Sequence, residues 1–186
     1  NNTVDTDIQE NQPSIRQRFG WDILIVFNLW VLLAGLIGFG TATIIARMPD
    51  DNSAEVGFAR DMVIHHANAV EMATLLRDQT EDEEMRTLAL DIILTQQAQI
   101  GQMQGWLMVW EQPIARIGPA MAWMGTPTDA LMPGLADMED MNQLRDLEGN
   151  EADGLFLTLM IQHHRAAIVM ANTVLERTYR PEVRVL

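Results

Sequence analysis

The sequence predicts an all-α protein, built as a four-helix bundle that follows a single transmembrane helix. Three observations support this fold class. A long uncharged apolar run lies near the start, and the later segments show apolar residues at helical spacing with no alternating strand pattern. A motif of paired histidines and methionines also occurs twice at helical spacing. Four helices after a membrane anchor suggest a small four-helix bundle.

The apolar run extends over residues 23–46, which are 24 residues without a charge. About 20 apolar residues are enough to cross a bilayer, and Trp21 stands where an interfacial aromatic residue is expected. A cleavable signal peptide would have a shorter apolar region of roughly 7–15 residues and a small-residue cleavage site, which this sequence does not clearly supply. We therefore predict an N-terminal tail over 1–20, an uncleaved signal anchor over 21–46 and a linker over 47–52.

The orientation of this anchor is less strongly specified than the span itself. Arg16 and Arg18 precede it, and Arg47 and Arg60 follow it, so the positive-inside rule is nearly balanced. Because most of the chain follows the first apolar segment, we expect a single-pass protein of the cell membrane with an extracytoplasmic, periplasmic C-terminal domain.

The remaining elements are predicted from periodicity and from capping signals. We expect four helices, over about 53–78, 80–110, 135–148 and 150–178, within a bundle over 53–180, and a C-terminal tail over 181–186. Thr80 and Glu83 have the spacing of a capping box at the start of the second helix. Proline and glycine make residues 112–134 irregular.

The most informative feature of the chain is the repeated motif, which contains all four of its histidines. The first copy reads Phe58-x3-Met62-x2-His65-His66-x5-Met72, and every offset recurs 98 positions later, from Phe156. At about 100° per residue, the histidines and methionines of one copy fall within one arc of a helix. The candidate metal ligands are Met62, His65, His66, Met72, Met160, His163, His164 and Met170.

Two interpretations of this motif compete. Methionine commonly fills gaps in hydrophobic cores, so the repeat could be a gene duplication that only preserved its core in a structural or interaction module of the envelope. Packing alone, however, gives little reason to reproduce both the His-His pair and the methionine offsets. In an antiparallel pairing of the first and fourth helices, Met62 approaches Met170 and Met72 approaches Met160. We therefore favour a metal-binding protein, with one shared site or two related ones.

The types of donor indicate copper. Thioether with imidazole suits Cu(I), whereas imidazole alone also suits Cu(II), zinc or nickel. The chain has 13 methionines and no cysteine, so thiolate ligands and cysteine-type zinc sites are excluded. Haem held non-covalently between histidine and methionine is a less favoured alternative. A di-iron centre is not expected, because neither His-His pair follows a Glu-x-x-His pattern and Glu71 faces away from the arc.

Other functions find little support in the sequence. We expect no enzyme, because no nucleophile elbow and no phosphate-binding loop occurs. The formal net charge of −14 disfavours a nucleic-acid partner. Glycines within the anchor, at positions 35, 38 and 40, could let two such helices pack closely in a homo-oligomer.

Two further features lie between the copies of the motif. One is a Met-Pro-Gly loop over 132–134. The other is an apolar stripe that contains glutamine and reads Ile92-Ile93-x2-Gln96-Gln97-x2-Ile100-x2-Met103-x2-Trp106-Leu107. With these features the chain resembles the ferritin-like family catalogued as domain of unknown function three hundred and five, over residues 54–176. The resemblance implies an exported, ferritin-like four-helix bundle, and some members of that family bind copper outside the cytoplasm. It carries the ligand role to the eight positions given above and, less directly, to Met103.

Overall fold

The computed structural model describes residues 15–45 and 48–186. Its α-helices are α1 (Ile15–Ile45), α2 (Ala54–Gln79), α3 (Glu83–Val109), α4 (Met138–Asp146), α5 (Gly149–Arg177) and α6 (Pro181–Arg184). Within these described residues there is no β-strand, and the segment between α3 and α4 contains a short 3₁₀ turn, Ala122–Met124, and one isolated bridge between Ala120 and Thr128. The predicted all-α class is confirmed.

The described residues divide into two compact units, with the boundary between residues 48 and 49. In the first unit, Ile23–Thr41 is long and apolar enough to cross a membrane, with a mean hydropathy of 2.4 and none of its residues buried. Helix α1 begins at Ile15, inside the segment predicted to be a tail. Residues 1–14 of that tail, and residues 46 and 47 at the end of the predicted anchor and the start of the linker, lie outside the described residues.

The caps of the long helices differ in part from those predicted. The Ser53 side chain accepts a hydrogen bond from the Val56 N–H and caps α2. The predicted capping box of Thr80 and Glu83 is wrong, because the N-cap of α3 is Asp82. Its short carboxylate reaches the N–H groups of the next turn, and aspartate is among the strongest N-cap residues. Thr80 instead ends α2.

Helix α2 is the centre of the second unit, since α3, α4 and α5 all pack against it. The third helix of the bundle, α4, has only nine residues and is shorter than the predicted 135–148. It starts at a capping box formed by Asp137 and Asp140. The bundle is therefore made of three long helices and a short one, which contacts α2 and α5.

Two clusters of buried side chains hold the bundle together. The first cluster includes Phe58, Met62 and Met170, and the second includes Met72 and Phe156 with the side chains of α4. Burying one large apolar side chain stabilises a fold by about 1.5–3 kcal/mol. The two clusters therefore fix α2 and α5 against each other on both sides of the histidines.

The predicted C-terminal tail over 181–186 is wrong, because these residues include α6. Pro181 occupies the first turn of the helix, where its fixed φ suits a helix start. Val183 is buried in the first cluster and Leu186 packs against it. Apolar side chains in so short a segment are enough to dock it on the bundle.

Candidate metal centre

The two His-His pairs are arranged by depth. The first histidine of each pair is fully enclosed, with 0% exposure for His65 and 1% for His163. Their rings contact each other, with centroids 3.8 Å apart and planes tilted by 37°, which leaves no space for a porphyrin between them. The second histidines, His66 and His164, line two cavities at the bundle surface.

The four motif methionines lie above and below this histidine layer. Met62 and Met170 belong to the first buried cluster, and Met72 and Met160 belong to the second. This is the pairing that an antiparallel register of α2 and α5 predicts. Imidazole groups are thus placed between two pairs of thioethers, one pair in each cluster.

Hydrogen bonds fix the protonated nitrogen of three histidines. Nε2 of His65 lies 3.3 Å from the carbonyl oxygen of Pro133, and Nε2 of His163 lies 2.7 Å from that of His65. Nε2 of His66 lies 2.8 Å from Oε1 of Gln99. Since these oxygens can only accept, Nε2 carries the hydrogen in each ring, and Nδ1 carries the lone pair. All three Nδ1 atoms are buried and have no hydrogen-bond partner.

His164 has the opposite arrangement. Its Nδ1 lies 2.9 Å from the carbonyl oxygen of Met160 in the preceding turn. Nδ1 therefore donates, and the lone pair is on Nε2. Because a carbonyl or amide oxygen commonly holds a metal-ligating histidine through its other nitrogen, all four rings have the orientation expected of metal ligands.

The surroundings keep the buried imidazoles neutral. Burial lowers the pKa of His65 to about 3, with a further contribution from neighbouring His163. Burial also lowers the pKa of His163 to about 4, and it lowers the pKa of His66 below its usual value of 6.5. Neutral imidazole is the form that binds a metal, so these three side chains are in their ligating form at neutral pH.

Two cavities share the outer histidines. One has a volume of about 380 Å³ and is lined from α2, α3 and α5, with His66, Gln96, His163 and His164 among its residues. The other has a volume of about 190 Å³, and Met62 lines it together with His66 and His164. The outer pair is therefore accessible from two sides, with different neighbours on each.

Sequence reasoning missed Gln99, which holds His66 and also donates from Nε2 to the carbonyl oxygen of Leu186 at 3.5 Å. A signal for it existed in the sequence. Positions 92, 96, 99 and 103 follow the 4-3-4 spacing of one helix face, so Gln99 shares a face with Gln96 and Met103. A polar residue on that apolar face indicates a specific partner.

The Met-Pro-Gly loop covers the inner histidines. Asn68 donates to the carbonyl oxygen of Ala136 at 3.0 Å and accepts from its N–H at 2.9 Å. Gly134 has a φ of +82°, and a Cβ there would lie 2.6 Å from the Cβ of Ala166. The loop can therefore lie directly on α2 and α5, where Pro133 accepts from His65.

The segment that precedes this loop is anchored by one buried carboxylate. Asp61 accepts from the Met121 N–H at 2.7 Å and from Nε1 of Trp123 at 2.9 Å, and it pairs with Arg116 at 3.1 Å. A Cβ at Gly57 would lie 2.5 Å from the Trp123 side chain. The first turns of α2 are thus shaped to receive this segment.

Conventional metal ligands alone do not complete a site. Among residues 15–45 and 48–186, no group of three or more histidine, aspartate or glutamate side chains is placed to hold a metal ion. A site in this layer therefore needs methionine sulfur, an amide oxygen or water beside two imidazoles. The eight residues predicted from the sequence are brought together in one part of the bundle. They form two pairs of histidines and, on either side, two pairs of methionines.

Fold and site together define an all-α bundle with paired histidine and methionine donors between its helices. The chain belongs to the family described as Domain of unknown function (DUF305), whose model matches residues 55–186. The resemblance found in the sequence is therefore confirmed. No curated protein matches this chain.

Solved structures of similar proteins extend this comparison. A putative secreted DUF305 protein from Streptomyces coelicolor is 44% identical, with a TM-score of 0.69, over 73% of this chain and 82% of its own. A DUF305 fragment from Deinococcus radiodurans is 33% identical, with a TM-score of 0.58, over 71% of this chain and 82% of its own.

A third similar protein, CopM, has been solved in metal-bound forms. Its Cu(II)-bound form is 27% identical, with a TM-score of 0.56, over 72% of this chain and 82% of its own. Its Cu(I)-bound form is 28% identical, with a TM-score of 0.51, over 72% of this chain and 81% of its own.

Proposed function

We propose that this protein binds and sequesters copper in the histidine layer between α2 and α5. The observation that carries the proposal is the set of three buried Nδ1 lone pairs, on His65, His66 and His163, that have no partner. Leaving a buried polar atom unpaired costs about 1–3 kcal/mol. Such atoms in one layer, on neutral rings, are accounted for by metal ions that accept their lone pairs, each ion bound by no more than two of the imidazoles.

The neighbouring sulfur atoms favour Cu(I). Thioether ligands are soft and select Cu(I), whereas harder ions prefer nitrogen and oxygen. Met62, Met72, Met160 and Met170 are all buried in the clusters that enclose the histidines. CopM, which shares the fold at 27–28% identity, was solved with copper bound, and this supports the choice of metal.

We also propose that the copper site lies outside the cytoplasm, on a protein held in the membrane by α1. The length and hydropathy of Ile23–Thr41 support a single span. The secreted relative from Streptomyces coelicolor supports export. In this proposal the bundle takes up copper on the outer side of the cell membrane and keeps it from other ligands.

The experiment is a Cu(I) titration of the full chain in detergent micelles, under anaerobic conditions and against a chromophoric chelator. Replacement of all four histidines by alanine should abolish tight binding. Helical content, followed by circular dichroism, should stay close to that of the parent. A folded four-histidine variant that retains parental Cu(I) affinity would overturn the proposal.

A methionine variant tests the role of sulfur. Changing Met62, Met72, Met160 and Met170 to leucine keeps most of the core volume, so the fold should survive at modest cost. Cu(I) affinity should fall by about tenfold or more, while Zn(II) affinity stays close to parental because the imidazoles remain. The matched control changes the exposed Met108 and Met138 to leucine and should leave both affinities unchanged. Equal loss for both ions would instead indicate a packing defect.

A further inference from the structure

The outer histidines lie between two chemically different cavities. His66 and His164 line both. Met62 lines the smaller cavity and offers a thioether there. Gln96 lines the larger cavity, and no methionine is among the described residues that line it. The same pair of imidazoles thus has a thioether on one side and, on the other, the amide of Gln96 together with the carboxylate of Asp91.

Gln96 is an unusual residue for a bundle interior. It is only 6% exposed, and its Oε1 is buried without a hydrogen-bond partner. Gln99, one turn later, is in the opposite situation, because its Oε1 accepts from His66 and its Nε2 donates to Leu186. Gln99 therefore positions an imidazole, whereas the oxygen of Gln96 remains available to a ligand in the cavity.

We propose that Gln96 is an oxygen ligand that lets the outer histidines also hold Cu(II) in the cavity between α3 and α5. The inference rests on the proposed copper binding and adds a second oxidation state to it. Imidazole nitrogen with amide oxygen suits Cu(II), and Cu(II) binds such sites more tightly than the other divalent ions of its series, zinc included. Water can complete the coordination, because the cavity is about 380 Å³ and open to solvent.

The test compares two leucine variants of the full chain in detergent micelles, Gln96→Leu and Met62→Leu. Each is titrated with Cu(II) in air and with Cu(I) under anaerobic, reducing conditions. Gln96→Leu should weaken Cu(II) binding by about tenfold or more and leave Cu(I) binding within twofold. Met62→Leu should show the reverse. The matched control is Gln97→Leu, a change at the neighbouring exposed glutamine, which should affect neither ion.

A second variant separates ligation from packing. Gln96→Glu keeps an oxygen at the same place and adds a charge, so Cu(II) binding should stay at least as tight as in the parent. The electron paramagnetic resonance spectrum should keep its nitrogen couplings. Parental Cu(II) affinity in Gln96→Leu, or a tenfold loss in Gln96→Glu, would overturn the inference. In either case, loss of Cu(I) in the four-histidine variant would still support the proposed function, so the two failures are distinguishable.

Discussion

The two copies of the motif keep the same histidines and methionines but differ at the positions between them. Asp61 of α2 corresponds to Leu159 of α5, and Asn68 corresponds to Ala166. The residues of α2 hold the backbone of the segment between α3 and α4, whereas Leu159 is packed in the second buried cluster. The donor residues were therefore preserved in both copies, and the polar residues that hold the connecting segment occur in one.

This difference follows from the positions of the two helices. Helix α2 is surrounded by α3, α4 and α5, so almost every face of its motif meets protein. Helix α5 leaves one side open, and His164 is exposed where His66 is buried. The outer histidines are consequently held by different groups, the side chain of Gln99 for one and the preceding turn of its own helix for the other. The two copies therefore have the same donor residues, but different groups hold their outer histidines by hydrogen bonds.

Acidification should produce the largest effect, a loss of folding stability through the buried histidines that both copies of the motif share. The folded-state pKa values of His65 and His163, about 3 and 4, lie below the unfolded value of 6.5, and that of His66 is also lowered. The unfolded chain therefore binds more protons, so stability is complete above about pH 6.5 and falls as the pH approaches 4 and then 3. Between about pH 5 and 6, unfolding of the metal-free protein should take up nearly two protons at His65 and His163 and a further fraction of a proton at His66.

Urea unfolding at a series of pH values measures this uptake from the slope of the unfolding free energy. Replacing His65 by Phe removes one of the three groups, and the slope should fall by about one proton. A slope that is unchanged by this substitution would contradict the idea that buried, neutral imidazoles dominate the acid response. The exposed substitution Ile161→Ala serves as the control and should leave the slope as it is.

The next largest loss of stability is expected from a substitution at Asp61, where the first copy has a buried carboxylate and the second has Leu159. Asp61→Leu gives α2 the residue that α5 has at the same motif position. It removes the acceptor of the Met121 N–H and the Trp123 indole, and it leaves Arg116 without its partner. Breaking a buried pair costs about 3–5 kcal/mol, and because Arg116 is partly exposed we expect about 3 kcal/mol. Urea unfolding, followed by tryptophan fluorescence, gives the value.

Asp61→Asn is the matched control, since it keeps one side-chain oxygen and nearly the same volume. It should cost clearly less than Asp61→Leu. Cu(I) affinity should change little in both variants, because Asp61 holds the connecting segment and none of the four histidines. Equal stability of the parent and the leucine variant would mean that the two copies are interchangeable at this position.

The sequence was sufficient to predict the helices and the face that carries the donors. Helical spacing places the histidines and methionines of each copy on one face of its helix, and the antiparallel register then pairs Met62 with Met170. Local signals were less reliable. Thr80 was the predicted cap of α3, but the carboxylate of Asp82, two residues later, competes better for the free N–H groups than the hydroxyl of Thr80.

Tertiary contacts could not be predicted in the same way. The sequence does not show which side of each histidine faces a carbonyl oxygen, so the lone pairs could be assigned only from the structure. The docking of α6 depends on Val183 meeting a cluster built from α2, α3 and α5. The Met-Pro-Gly loop was recognised as a motif, but its position over His65 depends on close contact with both long helices.

The contact between the Met-Pro-Gly loop and α5 gives the smallest of the expected effects. It concerns Ala166, the residue of the second copy that corresponds to Asn68 of the first. Gly134→Ala would introduce a Cβ 2.6 Å from the Cβ of Ala166 and 2.9 Å from the carbonyl oxygen of Gln162, at a φ of +82°. Left-handed backbone costs an alanine about 1 kcal/mol, and the overlap should add about 1 kcal/mol more. Gly118→Ala is the control for backbone strain alone, since φ is +85° and nothing lies within 4 Å of its Cβ. Adding Ala166→Gly to Gly134→Ala should recover part of the overlap cost in urea unfolding, whereas equal recovery in the Gly118→Ala background would show that the gain does not come from relief of this overlap.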